Sequence, residues 1–447
     1  MKRNSILVKQ ELATFLACGH GLASSDWATQ LLRNKLDGNP LRAYFVSKMA
    51  EQLWDKARFI YKARHSQNTW EKLLYRQLPF AFEVVITIQY LHNQILDGKS
   101  NVTSREQVSK NLLAANLLKE QLYCYLEETL PSWAQQTTIR SIRKCFEWVD
   151  HGQHLEQSAN TYHAFMKGQK TTDYSLPPTI VAEMDFSGAE AFLDKLSSDL
   201  PLILHDQLHI YFQRIYLTCA TLFIESSRLL GQLLRISDRQ LKPFLGFSLC
   251  YGLMRQLVND NADWTPSSYG LHTATKTTAD TFSDLRNGTL TLPLLFFLAE
   301  HKNSLSQQLL NKKICWSQAF ELPIFEELLQ SNALYKSIQN TRILAELALA
   351  YIPDEHPASA FLAESCEIVH WNKFLAPALK HPIYQTYRKT GYHLRTKRLI
   401  KVLRQERKQS FAQQQVAKLV FSFPWRQQEV LPTAVGQLEQ LLRCETY

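Results

Sequence analysis

The N-terminal residues 1–80 alternate apolar and polar positions with the spacing of several amphipathic helices. Within 43–61, Phe45, Met49, Leu53, Trp54 and Phe59 recur near the three- and four-residue intervals that line one face of a helix. Asn39-Pro40 marks the boundary before that segment. Further helical runs are predicted over 83–97, 211–234 and 247–263, and an apolar run follows Pro293. Beyond Glu300 the pattern continues as helices to Tyr447. The Lys/Thr/Ser/Pro-rich interval from Lys167 to Pro178 has no clear period and reads as a loop or insertion.

Composition sharpens this picture. Only 14 glycines and 16 prolines punctuate 447 residues, so long helices are favoured over many short strands and the expected fold class is all-α. With 45% hydrophobic and 20% charged residues, the chain has enough apolar surface for a large core and is not disordered by composition. The eight cysteines are scattered without a Cys-x-x-Cys pair, which points to reduced packing thiols rather than a zinc ribbon or disulfide framework. Lys9 and Glu11 interrupt the only N-terminal apolar stretch, and no run approaches the ~20 apolar residues of a membrane span, so a cytoplasmic location is expected.

The formal net charge of +9 suits an anionic partner. No nucleic-acid module is recognisable, and nucleic acid is not expected as a partner. Over 387–408 nine basic residues stand against one acid, Glu406, as a solvated helix face, a contact for anionic lipid or a lid of cations over a diphosphate. His205 and His209 stand four apart with Asp206 between them, but aspartate is short for a zincin base and a third ligand is lacking; an ordinary polar pair is the expected reading.

The most informative stretch runs from Arg255 to Glu300. Asn259, Asp260 and Asp263 end an apolar helical run, and residues four apart share a helix face, so Asn259 and Asp263 are expected to aim oxygens at one place. Gln256, Leu257, Asn259, Asp260, Asp263, Trp264, Lys276, Asp284, Leu285, Gly288, Thr291, Leu292 and Pro293 stand in order. Together they resemble the second aspartate-rich region of the class I isoprenyl diphosphate synthases, Gln-(Ile/Leu)-x-Asp-Asp-x-x-Asp-Phe, then Gly-Lys, then Asp-Leu-x-x-Gly-Lys-x-Thr-Leu-Pro.

The first acidic motif of that family is matched in register rather than in chemistry. Glu83, His92 and Asp97 hold their places, but Asn93 and Gln94 stand where two aspartates are usual. Thr218 and Cys219 occupy the Lys-Thr places of a helix in which Leu222, Phe223 and Gly231 agree with the family. The Gly-Gly-Lys-Arg and Arg-Arg segments that grip diphosphates have no counterpart.

The resemblance implies an isoprenoid-synthase helical bundle around a central cavity over 1–300, with an insertion near 150–200, and an additional helical region over 301–447. It implies Mg²⁺ held by Asn93, Asp97, Asn259, Asp260 and Asp263, with Asp97, Asp260 and Asp263 as the catalytic carboxylates. An allylic prenyl diphosphate would meet Asn93, Gln256, Lys276, Asp284 and Arg286. The implied activity is a Mg²⁺-dependent prenyltransferase or terpene-synthase-like ionisation, not ordinary chain elongation. The alternative is a catalytically silent protein of the same fold that acts by binding. A homodimer is compatible with either.

Overall fold

The structure, a computed structural model, describes residues 2–18, 26–37, 40–58, 62–97, 104–166, 176–263, 283–300 and 331–351. Among these residues the chain is helical throughout apart from turns and one isolated bridge between Thr161 and Thr289. The helices used below are α1 (Lys2–Ala17), α2 (Asp26–Asp37), α3 (Leu41–Lys56), α4 (Leu78–Leu96), α5 (Arg105–Thr129), α6 (Ser132–Ser158), α7 (His205–Ile215), α8 (Thr221–Leu233), α9 (Asp238–Asp263), α10 (Leu292–Glu300) and α11 (Ala333–Ala350). A π-helical turn, Leu73–Gln77, leads into α4, and another, Tyr216–Ala220, joins α7 to α8. None of the described helices is long and apolar enough to cross a membrane. Among the described residues the cysteines at 18, 124, 145, 219 and 250 form no disulfide.

The chain divides into two compact units. The first contains 1–151 and 218–245, and the second contains 152–217 and 246–356. In the first, α4 packs on α3 and α5, and α1 lies against the π-turn before α4. Phe15, Phe80 and Tyr125 form an edge-to-face aromatic triad with centroids 5.3–5.8 Å apart at its centre. Beside them the Tyr125 hydroxyl donates to the buried Glu11 carboxylate at 2.9 Å, and Arg76 Nε lies 2.9 Å from its other oxygen. A carboxylate inside a core is tolerable only with such partners.

Helix α3 begins at Pro40, which offers no side-chain acceptor to the free N–H groups of the first turn. Glu83 of α4 supplies one: its Oε2 accepts from the Ala43 N–H at 3.0 Å. Helix α5 is closed by a capping box in which Ser104 and Gln107 exchange side-chain and backbone hydrogen bonds.

In the second unit α10 packs on α11 and on α7. Lys336 of α11 reaches Glu300 of α10 at 2.7 Å. Tyr351, at the end of α11, donates its hydroxyl to the Gly188 carbonyl at 3.0 Å, and its ring covers Gly246 of α9 so closely that a Cβ there would stand 2.8 Å from it.

Candidate functional site

The second acidic motif occupies the last two turns of α9, in the second unit. Asp260 is buried at 1% exposure and its oxygens are committed to protein donors. Tyr211 Oη donates to Oδ2 at 2.6 Å, and Gln256 Nε2 donates to Oδ1 at 2.8 Å. Arg214 Nη2 lies 3.5 Å from Oδ2 while its Nη1 donates to Glu156 at 3.1 Å. Burial pushes the Asp260 carboxyl above the usual carboxylate range, and Arg214 opposes that push. Burial likewise acts against the Arg214 charge, but Glu156 and Asp260 outweigh it and keep the guanidinium protonated.

Asp263, the last residue of α9, is completely buried. Its Oδ1 accepts from the Ser283 N–H and hydroxyl, both at 3.1 Å, and its Oδ2 accepts from the Asp284 N–H at 3.0 Å. It therefore serves the orphan donors at the start of the short helix Ser283–Arg286. The chain then turns through Gly288, whose φ of +68° is in the left-handed region that favours glycine. Gly288 accepts from the Tyr162 N–H at 2.7 Å, and the Leu290 N–H donates to the Asn160 carbonyl at 3.0 Å. The Asp-Leu-x-x-Gly…Thr-Leu segment is thereby tied to the end of α6.

Asn259 lies between these two networks in sequence but is exposed. It does not share an environment with Asp263, because the carboxylate at the helix end turns inward to the 283–286 helix. Gln256 and Asp284 are half-buried; Lys276 and the Arg286 side chain lie outside the described residues.

The first motif ends α4, in the first unit. Gln94 is buried, Asn93 is exposed, and Asp97 is a half-buried C-cap whose N–H donates to the Asn93 carbonyl at 2.9 Å. His92 is half-buried, and burial lowers its pKa against the opposing pull of Asp150. Basic residues 387–408 lie outside the described residues.

Three residues of the Asp260 network, Glu156, Tyr211 and Arg214, were not singled out in the sequence. A signal existed: Tyr211 and Arg214 stand three apart, both on the buried side of α7, and a buried arginine requires carboxylate partners. His205 Nε2 pairs with the Leu200 carbonyl at 3.1 Å and His209 Nε2 with Gln213 at 3.0 Å, so both imidazoles have ordinary neighbours.

The resemblance in sequence implies a divalent cation, but among the described residues the carboxylates of the second motif are not turned outward to receive one. Mg²⁺ requires outward-facing carboxylate oxygens, whereas Asp260 and Asp263 direct theirs at Tyr211, Gln256, Arg214 and two backbone N–H groups. Among the described residues no group of three or more His, Cys, Asp or Glu side chains is arranged to hold a metal ion.

No protein-family model matches the sequence, and no curated protein matches it. Solved structures do. The polyprenyl synthase from Caulobacter crescentus, in complex with calcium and isoprenyl diphosphate, superposes with a TM-score of 0.54 at 16% identity, covering 85% of this chain and 95% of that one. Heptaprenyl diphosphate synthase from Staphylococcus aureus gives 0.54 at 16% identity, covering 81% and 96%. Octaprenyl pyrophosphate synthase from Helicobacter pylori gives 0.52 at 15% identity, covering 82% and 99%.

Proposed function

Starting from a chain with the helical fold of the class I isoprenyl diphosphate synthases, we propose that it acts by binding, as a catalytically silent protein of that fold, with a prenyl diphosphate as ligand. The observation that carries this reading is where the motif charges stand. At the exposed positions, 93 and 259, the side chains are amides, while Asp260 and Asp263, the carboxylates kept in the second motif, are built into the interior. Glu83, kept in the first motif helix, is likewise spent on capping α3.

This distribution supports preservation of scaffold more than preservation of a metal cluster. At an effective dielectric of ~20 and ~4 Å, each missing charge removes about 4 kcal/mol of raw attraction for a cation. The ligand class is supported by the isoprenyl diphosphate in the Caulobacter crescentus neighbour.

A second reading, Mg²⁺-dependent prenyl transfer or terpene-synthase-like ionisation, is favoured by one observation: Asp97 and Asp284 remain as half-buried carboxylates at the edges of the two motifs. Ordinary elongation with isopentenyl diphosphate is disfavoured by the missing Gly-Gly-Lys-Arg, Arg-Arg and Lys-Thr groups. The readings separate on one assay. Incubation with labelled C10, C15 and C20 allylic diphosphates and Mg²⁺ should release no diphosphate, while calorimetry should still register binding. Release that stops in an Asp97→Ala variant would establish the enzyme instead.

A further inference from the structure

We infer that Asn160, Gln207 and Thr291 line an internal site for a small neutral hydrogen-bonding ligand, with water as its resident form. All three belong to the second unit, and all are almost fully buried, at 0%, 1% and 1% exposure. Both side-chain atoms of Asn160, Oε1 of Gln207 and Oγ1 of Thr291 have no hydrogen-bond partner among the described residues. Buried polar groups are rarely left unmade, and internal water is the usual partner where protein atoms are not.

The three side chains come from elements that meet. The Asn160 carbonyl accepts from the Leu290 N–H, next to Thr291. Leu155 and Ala159, just before Asn160, pack against Ile210 of α7, one turn beyond Gln207. Helix α7 in turn packs on α10, which starts after Thr291.

The chemistry selects the ligand. Asn160 presents two donors and an acceptor, Thr291 one donor and an acceptor, and Gln207 an acceptor, so the ligand must both give and take protons in hydrogen bonds. It is neutral, because the three side chains that line the site carry no charge and a buried ion without a countercharge is costly. Gln207 lies seven residues from Arg214, about 10 Å along the helix, which separates this site from the Asp260 network.

The isosteric change Thr291→Val tests the inference because its sign depends on the ligand. If the hydroxyl is bonded to water, losing it lowers the melting temperature by roughly 2–4 °C, and Asn160→Leu lowers it further. If the hydroxyl has no partner, Thr291→Val leaves the melting temperature unchanged or raises it, and the inference is overturned. A crystal structure of the unmodified protein gives the independent check. Ordered water within hydrogen-bond reach of the Asn160 amide supports the site, and direct protein partners for both amide atoms overturn it.

Discussion

Tyr211 gives its phenolic hydrogen to Asp260 across 2.6 Å, joining α7 to the second acidic motif over 49 residues of sequence. With Arg214 beside it, this contact holds Asp260 in the interior. Replacing Arg214 by Met should cost about 3–5 kcal/mol, because Asp260 and Glu156 then lose their buried countercharge. The double variant Arg214→Met/Asp260→Leu should recover part of that loss. Urea denaturation of both would decide, and equal stabilities for single variant and parent would contradict the proposed coupling.

Asp263 accepts three hydrogen bonds from the start of 283–286. Asp263→Ala should therefore destabilise by about 2–4 kcal/mol with or without Mg²⁺, while Asn259→Ala, at an exposed position, should change stability by less than about 0.5 kcal/mol. A cost for Asp263→Ala that appears only when Mg²⁺ is present would restore a metal-ligand role.

Glu83 supplies a pH test. Burial raises its pKa, against the opposing effects of Arg42 and the Ala43 N–H, so the folded state holds the proton more tightly than the unfolded state does. Its contribution to stability is consequently present at low pH and lost as pH rises from the unfolded value towards the folded one. Relative to Glu83→Gln, which cannot titrate but keeps an acceptor for Ala43, the parent should gain stability as pH falls from 7 to about 5. A stability difference that does not vary with pH would refute this.

Gly246 is held by the Tyr351 ring, not by an unusual φ. A methyl group there would stand 2.8 Å from an aromatic carbon, so Gly246→Ala should cost about 1–3 kcal/mol. Combining it with Tyr351→Leu should restore part of that cost, and a double-mutant cycle reads the interaction directly.

Charge restoration probes the functional reading from the other side. Asn259→Asp returns a carboxylate to the exposed position of the second motif. Calorimetry should then show Mg²⁺ binding in the presence of farnesyl diphosphate that is at least tenfold stronger than in the parent. Equal Mg²⁺ affinities would mean that this amide is not what weakens metal binding.

The sequence alone determined a good deal. Scarce glycine and proline and the apolar spacing over 43–61 implied an all-helical chain, and the helices over 78–96, 205–233 and 238–263 lie where the runs at 83–97, 211–234 and 247–263 placed them. The ordered matches from Gln256 to Pro293 pointed to the synthase fold because they record residue types along one continuous stretch. Which way each motif side chain faces was decided only in three dimensions. Spacing four apart put Asn259 and Asp263 on one helix face, but that rule ends with the helix, where the returning 283–286 segment offers N–H groups that draw the Asp263 carboxylate inward. Asp260 is similarly paired by Tyr211 and Arg214, whose approach depends on how α7 packs and has no local signature in α9. Burial of a charge depends on partners distant along the chain, so the motif showed which carboxylates were present and only the tertiary structure showed which protein donors Asp260 and Asp263 meet.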